Sequence, residues 1–285
     1  MLLRKRILIP IILALFSVSL MAQGETAVSF LRIAPDSRAG GMGESGAGLA
    51  DNSAAIFWNP AGIAFLRGIE GSFTHSQWLP QFQLSDLFYE YLTGRAYLPE
   101  LGVDVPVHAT TSLTYMNFGE INLTDENGGD LGTFRAYDMA FTLGFATKLH
   151  DDWGLGMNFR LIHSRLSPKG AGEEEGSGTA TGVSFDVAAM WRPAEFDIPY
   201  IADMSNRFSL GMNLSNIGPA ITYIDEAQSD PIPQNFRLGI AAILYQDEYN
   251  SLTYTMDFNK LLVDKLPRDF SAVVNDTTKE VKDKK

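Results

Sequence analysis

The chain has 285 residues, a formal charge of -12 and no cysteine. The acidic balance argues against nucleic-acid binding, which needs a basic face. The missing cysteines exclude a disulfide framework and a lipid-modified N-terminal cysteine. Mean hydropathy is -0.03, and no apolar run beyond the N-terminus reaches the ~18 residues of a transmembrane helix.

Residues 1–22 read as a secretory signal. Arg4, Lys5 and Arg6 form a basic start, residues 7–20 an apolar stretch interrupted by Pro10, and a cut after Ala22 leaves Gln23 first. Losing the three basic residues takes the charge of the mature chain to -15. The alternative is an N-terminal anchor, but the stretch falls short of the ~20 residues that span comfortably. Residues 23–66 follow, rich in Gly and Ala and without strand alternation. They read as a compact plug with short helices, inside or beneath a barrel.

From residue 67 the pattern changes. Between Tyr137 and Leu149 every second residue is large or apolar except Thr147, while Ala136, Asp138, Ala140, Thr142, Gly144, Ala146 and Lys148 are small or charged. A period of two means a strand with one greasy and one small, polar face. Thirteen residues exceed the ~5–6 of a soluble strand and match the ~9–11 of a tilted strand crossing a bilayer. The expected fold class is therefore all-β, an antiparallel transmembrane barrel.

Nine strands are expected, at 69–78, 86–98, 106–118, 134–149, 153–166, 179–192, 206–217, 234–245 and 251–259. The second, with Tyr89, Tyr91 and Tyr97, could also be a helix. Links at 150–152 and 246–250 are short and would face the periplasm. Those at 119–133, 167–178 and 218–233 are long and would face the exterior, while 193–205 is too long for a periplasmic turn and reads as an insertion. Trp78, Trp153 and Trp191 fall at strand ends, where aromatic girdles belong. Residues 264–285 read as a polar tail.

An odd strand count and small lumen-facing residues do not suit a narrow closed barrel, whose interior side chains must fill. They suit a wider barrel around a plug, so the expectation is a product that stops early. Asp138, Arg160, Asp186, Arg237 and Asp257 fall on lumen faces. They are expected to pair with one another or with the plug, or to line a substrate path. On the lipid side an Arg would cost about 2–4 kcal/mol at midplane.

Chemical motifs are sparse. Gly41, Gly43 and Gly46 satisfy GxGxxG, but Ala34-Pro-Asp-Ser-Arg upstream is not a strand, so the glycines are read as backbone turns rather than a dinucleotide site. His75, His108, His150 and His163 lack metal-ligand spacing, and no serine sits in a GxSxG elbow. Glu173, Glu174 and Glu175, like Asp125 through Asp130 with its Asn127-Gly128, could bind calcium but lack EF-hand spacing and read better as hairpin loops. No catalytic or metal-binding residue and no cofactor is assigned.

The run Ser29-Phe-Leu-Arg-Ile-Ala-Pro-Asp-Ser-Arg-Ala-Gly-Gly-Met-Gly resembles the opening of the PorV family, outer-membrane proteins of the type IX secretion system. The resemblance continues through Ala54-Ala-Ile-Phe-Trp-Asn-Pro-Ala-Gly, Phe73-Thr-His-Ser-Gln-Trp-Leu-Pro, Asn213-Leu-Ser-Asn-Ile-Gly, Phe236-Arg-Leu-Gly and Asp257-Phe-Asn-Lys-Leu-Leu-Val. It implies a FadL-like barrel of about 14 strands, roughly five more than are visible here, and a plug carrying Pro35, Asp36, Arg38, Gly40, Gly41, Gly43, Asn59 and Pro60. It also implies a non-enzymatic role: receiving secreted cargo by its C-terminal signal domains and passing it to a surface sortase-like peptidase. Outer-membrane lipid and other secretion components would be further partners. Asp125 and Asn127 in one long loop, and Glu173, Glu174 and Glu175 in another, are the cargo-facing candidates. The rival reading is a FadL-like transporter of hydrophobic small molecules; a lipid-modifying enzyme lacks any nucleophile–base pair.

Overall fold

The structure, a computed structural model, describes residues 26–82, 86–99, 106–124, 128–167, 177–199, 202–224 and 229–263. The proposed signal and tail, and Asp125, Asn127, Glu173, Glu174 and Glu175, lie outside the described residues.

The chain is all-β. Its strands are β1 (Ile69–Gln77), β2 (Leu87–Leu98), β3 (Val107–Thr124), β4 (Asp130–His150), β5 (Trp153–Arg165), β6 (Thr179–Trp191), the two-residue β7 (Asp197–Ile198) and β8 (Ala202–Asp203), β9 (Phe208–Ile217), β10 (Asn235–Gln246) and β11 (Ser251–Leu261). All but β7 and β8 form one curled antiparallel sheet in chain order, with β1 and β11 at its edges. β2 is a full strand of this sheet, paired from Leu87 to Leu98 with β3. Its tyrosines at odd positions point inward, and Tyr89 and Tyr91 are buried.

Alternation decides which face is which. Along β5 exposure switches at every residue from Trp153 to Ile162. Leu155, Met157, Phe159 and Leu161 point out, whereas Gly154, Gly156, Asn158 and Arg160 point in. The outward apolar row continues across β4, β6, β10 and β11. Two bands of rings bound it. At the long-loop end His75, Phe88, Tyr115, Tyr137 and His163 stand side by side on β1 to β5, with centroids 5.7 to 6.0 Å apart. At the short-turn end Trp153, Trp191 and Phe208 follow one another at 6.3 and 6.0 Å. On β5, Trp153 and His163 are ten residues apart, about 33 Å along a strand and about 25 Å in height at a 40° tilt, the thickness of an outer-membrane apolar band.

Trp78 does not join either band. It turns inward and packs against the buried core. Two links also differ from expectation. The stretch 119–133 is mostly ladder rather than loop, because Glu120 to Thr124 pair with Arg135 to Asp130. Gly119, just past the expected end of the strand at 118, adopts φ +81° and makes a bulge, after which pairing resumes. The described ends of the link 218–233 fold inward instead of reaching out: Ile221 and Ile232 are each 2% exposed, and an isolated bridge joins Ile221 to Asp230. The insertion 193–205 carries β7 and β8 and is seated by Phe196, whose ring meets Trp191 and Phe208.

The core lies between the inner face of the sheet and residues 26–66. Phe30, Leu31, Ile56, Trp58, Ala61 and Ile63 are buried there. Small inward residues are what let this segment approach so closely. A Cβ at Gly156 would strike the Ala61 amide, and one at Gly211 would strike the Ala47 carbonyl.

Candidate functional site

Residues 26–66 bring together the segment that the sequence singled out. Asp36 precedes the short helix Ser37–Gly41 and caps it, accepting from the Ala39 amide at 2.6 Å. Its other oxygen accepts from the Trp58 indole at 3.2 Å. Arg38 meets Asp51 with both guanidinium nitrogens, at 2.6 and 3.0 Å; that hydrogen bond raises the Arg38 pKa above its ordinary value. Pro35 is fully buried. Gly40 and Gly41 close the helix with open space around them, and Gly43 follows at φ +75°. A Cβ at Gly46 would press on the Trp58 ring at 2.6 Å. A five-residue helix with no strand before it offers no dinucleotide cradle.

Asn59 and Pro60 sit deeper. Pro60 opens the 3-10 helix Pro60–Phe65, where its missing N–H costs nothing. Asn59 is 0% exposed, and its side chain is saturated. Oδ1 accepts from the Ala61 amide at 3.0 Å, while Nδ2 donates to the Ala47 carbonyl at 3.0 Å and to Ala189 of β6 at 3.2 Å. One side chain therefore shapes the turn and ties it to the wall.

The wall supplies the rest of the attachment through its inward polar residues. Asn158 donates to the Ile56 carbonyl, Asn213 to Trp58, Ser209 to Gly48, Thr93 to Ser53 and Arg192 to Leu49, at 2.6 to 3.1 Å. Asp257 accepts the Gly46 and Ala47 amides at 2.8 and 2.7 Å. Buried carbonyls and amides of an irregular segment need such partners where the wall takes water's place.

The predicted lumen charges all face inward. Arg160 and Asp186 form a bidentate pair at 3.0 and 2.7 Å, with side chains 9% and 1% exposed. Arg160 also reaches Thr142, Ser184 and Asn216, and Asp186 also holds Asn158 and the Asn216 amide. Arg237 stacks on Phe57 and Trp58 at 4.6 and 4.8 Å and donates to the Phe57 carbonyl. Asp138 accepts from Ser164, which accepts from Tyr223 on the inward-folded link. These residues link wall to wall and wall to segment. The voids beside Arg160 measure only about 20 and 10 Å³.

Residues 21–268 match the family described as type IX secretion system protein PorV. The chain belongs to that family. Family membership makes it an outer-membrane component of the type IX secretion machinery, consistent with the belt of lipid-facing side chains. Comparison with curated proteins finds no match.

Two surfaces that the sequence did not foretell bear on what a PorV-family chain can bind. One is the ribbon formed by the upper parts of β3 and β4, which rises beyond the aromatic band at Tyr115 and Tyr137. Ile121 opposes Phe134, and Leu123 opposes Gly132 on the same face, while Glu120 opposes Arg135 on the other. The other surface is a cavity of about 480 Å³ beside β1, lined by Arg32, Asp36, Glu44, Thr74, Trp78 and Tyr89 among others. Only the alternation of Ile121 and Leu123 could have signalled the ribbon from sequence, and Gly119 interrupted it.

Proposed function

We propose that this PorV-family chain is a non-enzymatic carrier: it binds the C-terminal signal domains of secreted cargo at its long-loop end and hands them to a surface sortase-like peptidase. The observation that carries this reading is the filled lumen. Residues 26–66 are bonded to at least five strands of the wall, β2, β5, β6, β9 and β11, which leaves the outer rim as the face for a macromolecular partner. The β3–β4 ribbon is the element we assign to that contact. Beyond the amides of Glu120 and Gly132, which donate to Asp86 and Asp130, it offers backbone edges that no third strand pairs among the described residues, and the apolar row Ile121, Leu123 and Phe134, as strand-addition partners require. Asp125 and Asn127, with Glu173, Glu174 and Glu175, remain the proposed cargo-facing residues. Residues 1–22 are proposed as the export signal and 23–66 as the plug.

A transporter of hydrophobic small molecules would want an apolar pocket inside the wall. The large cavity beside β1 instead mixes Arg32, Asp36, Glu44 and hydroxyl side chains, whereas the apolar groove of about 570 Å³ lies on the outward face of β4 to β6. The test is capture of a purified cargo signal domain by the detergent-solubilised chain. Capture that falls at least tenfold when 119–133 is shortened to a tight turn supports the reading. Failure to capture any signal domain, together with saturable fatty-acid binding, overturns it in favour of the transporter.

A further inference from the structure

The outward face of β5 leaves the apolar belt carrying a charge. Arg165 lies two residues beyond His163 of the aromatic band and on the same face as Phe159 and Leu161. Two residues are about 6.6 Å of strand and about 5 Å of height at a 40° tilt. The headgroup layer on each side of a hydrocarbon core is about 5–7 Å deep, so Arg165 stands at the level of lipid phosphates. Arg135 does the same on β4: it lies two residues past Tyr137 on the outward face, and Tyr137 stands directly opposite Arg165. Both arginines are exposed. As diagonal neighbours across the ladder they are about 7–8 Å apart at the backbone, within reach of long side chains. The residues opposite Arg165 on its two sides, Tyr137 and Thr179, carry no carboxylate. Arg135 stands opposite Glu120, yet among the described residues neither arginine is within ion-pair distance of a carboxylate. Two arginines against one glutamate leave the group cationic.

We propose that Arg135 and Arg165 form a clamp for the phosphate of an anionic lipid headgroup in the leaflet at the long-loop end. Guanidinium forks match phosphate oxygens bidentately, and an arginine at the edge of the belt lays its apolar stem along the wall while its head reaches the headgroups. The rings of Tyr115, Tyr137 and His163, spaced 5.7 and 5.8 Å apart, bound the clamp on the membrane side. Position selects a lipid rather than a soluble anion. Its acyl chains would lie on Phe141 and Leu161, which oppose each other and are exposed on the same face below the rings. The contact would hold the base of the β3–β4 ribbon at headgroup height. It concerns the outward face alone and stands whether or not the ribbon receives cargo.

The experiment titrates the full chain in detergent micelles with dioleoyl phosphatidic acid and with dioleoylglycerol, which has the same acyl chains and no phosphate, and reads retained lipid by native mass spectrometry. Phosphatidic acid should be held at least about tenfold more tightly, and Arg135→Gln with Arg165→Gln should remove most of that preference. Arg67→Gln with Arg207→Gln, at exposed arginines of the short-turn end, should leave it unchanged. Equal retention of the two lipids overturns the proposal. So does a preference that survives the first pair of substitutions, or one that falls equally with the second. Displacement of the lipid by an equal concentration of inorganic phosphate overturns it in favour of a soluble anion. Should the first variant fail to fold, phosphatidic acid with a photoreactive headgroup decides on the unaltered chain. Adducts on β4 and β5 beside Tyr137 support the clamp, and adducts only elsewhere overturn it.

Discussion

Replacing Arg160 by Met removes the guanidinium at the centre of the lumen and leaves its carboxylate behind. Five side-chain bonds vanish, to Thr142, Ser184, Asn216 and both oxygens of Asp186. Asp186, 1% exposed, keeps only Asn158 and the Asn216 amide, each at 2.8 Å. Breaking a buried pair on one side costs about 3–5 kcal/mol, because a desolvated charge is left uncompensated. Removing both charges, as Arg160→Met with Asp186→Leu, should restore at least half of that loss, giving a coupling energy of about 2 kcal/mol or more. The assay is urea unfolding of the chain in detergent micelles, followed by tryptophan fluorescence and by the mobility of folded and unfolded bands on gels. If Arg160→Met stays within about 1 kcal/mol of the parent, the pair is not the buried keystone described here. If the double variant is as unstable as the single, the loss comes from packing rather than from charge.

Other outcomes follow from the same geometry. Gly211→Val should destabilise by about 1–3 kcal/mol or more, because its side chain drives into the Ala47 carbonyl and the Asn59 amide; protease nicking within 26–66 measures the release, and unchanged protection would contradict the close packing. Leu143→Arg, outward at mid-strand in β4, should cost about 2–4 kcal/mol in lipid, read as a reduced folded fraction in liposomes, whereas loss of only a few tenths would place Leu143 outside the bilayer. In the β10–β11 turn, the Tyr245 hydroxyl and the Tyr249 and Asn250 amides lower the Asp247 pKa to about 2. A carboxylate depressed on folding stabilises above its unfolded value, near ~4, and loses that contribution as pH falls through the folded one. Amide exchange at Tyr249 and Asn250 should therefore stay slow at pH 4 and quicken below about pH 2.

The barrel wall was legible because lipid and lumen impose a strict two-residue period, which β5 writes out as Trp153, Leu155, Met157, Phe159 and Leu161. Charge placement was legible for the same reason: Arg160, Asp186, Arg237 and Asp257 could only face inward. Their partners were not. Asp257 joins Gly46 across the core and Asn59 joins Ala189, contacts between distant stretches that leave no local pattern. Glycine had two meanings. Gly119, placed outside the third strand, proved a bulge within it, while the small inward residues, read as room for a plug, do receive its backbone, as Gly156 receives Ala61. Link 218–233 looked like an exterior loop by length, yet Ile221 and Ile232 at its two ends are buried in the core.

The central claim is that the outward side chains of this sheet are wetted by lipid and the inward ones are sealed from it. Because the chain has no cysteine, single cysteines can be placed at each position from Trp153 to Ile162 and spin-labelled in liposomes. The account predicts high collision rates with oxygen, which partitions into lipid, at Leu155, Met157, Phe159 and Leu161, and low rates at Gly156, Asn158 and Arg160. A flat profile, or water-soluble reagent reaching the outward set as freely as lipid-soluble oxygen, would contradict it.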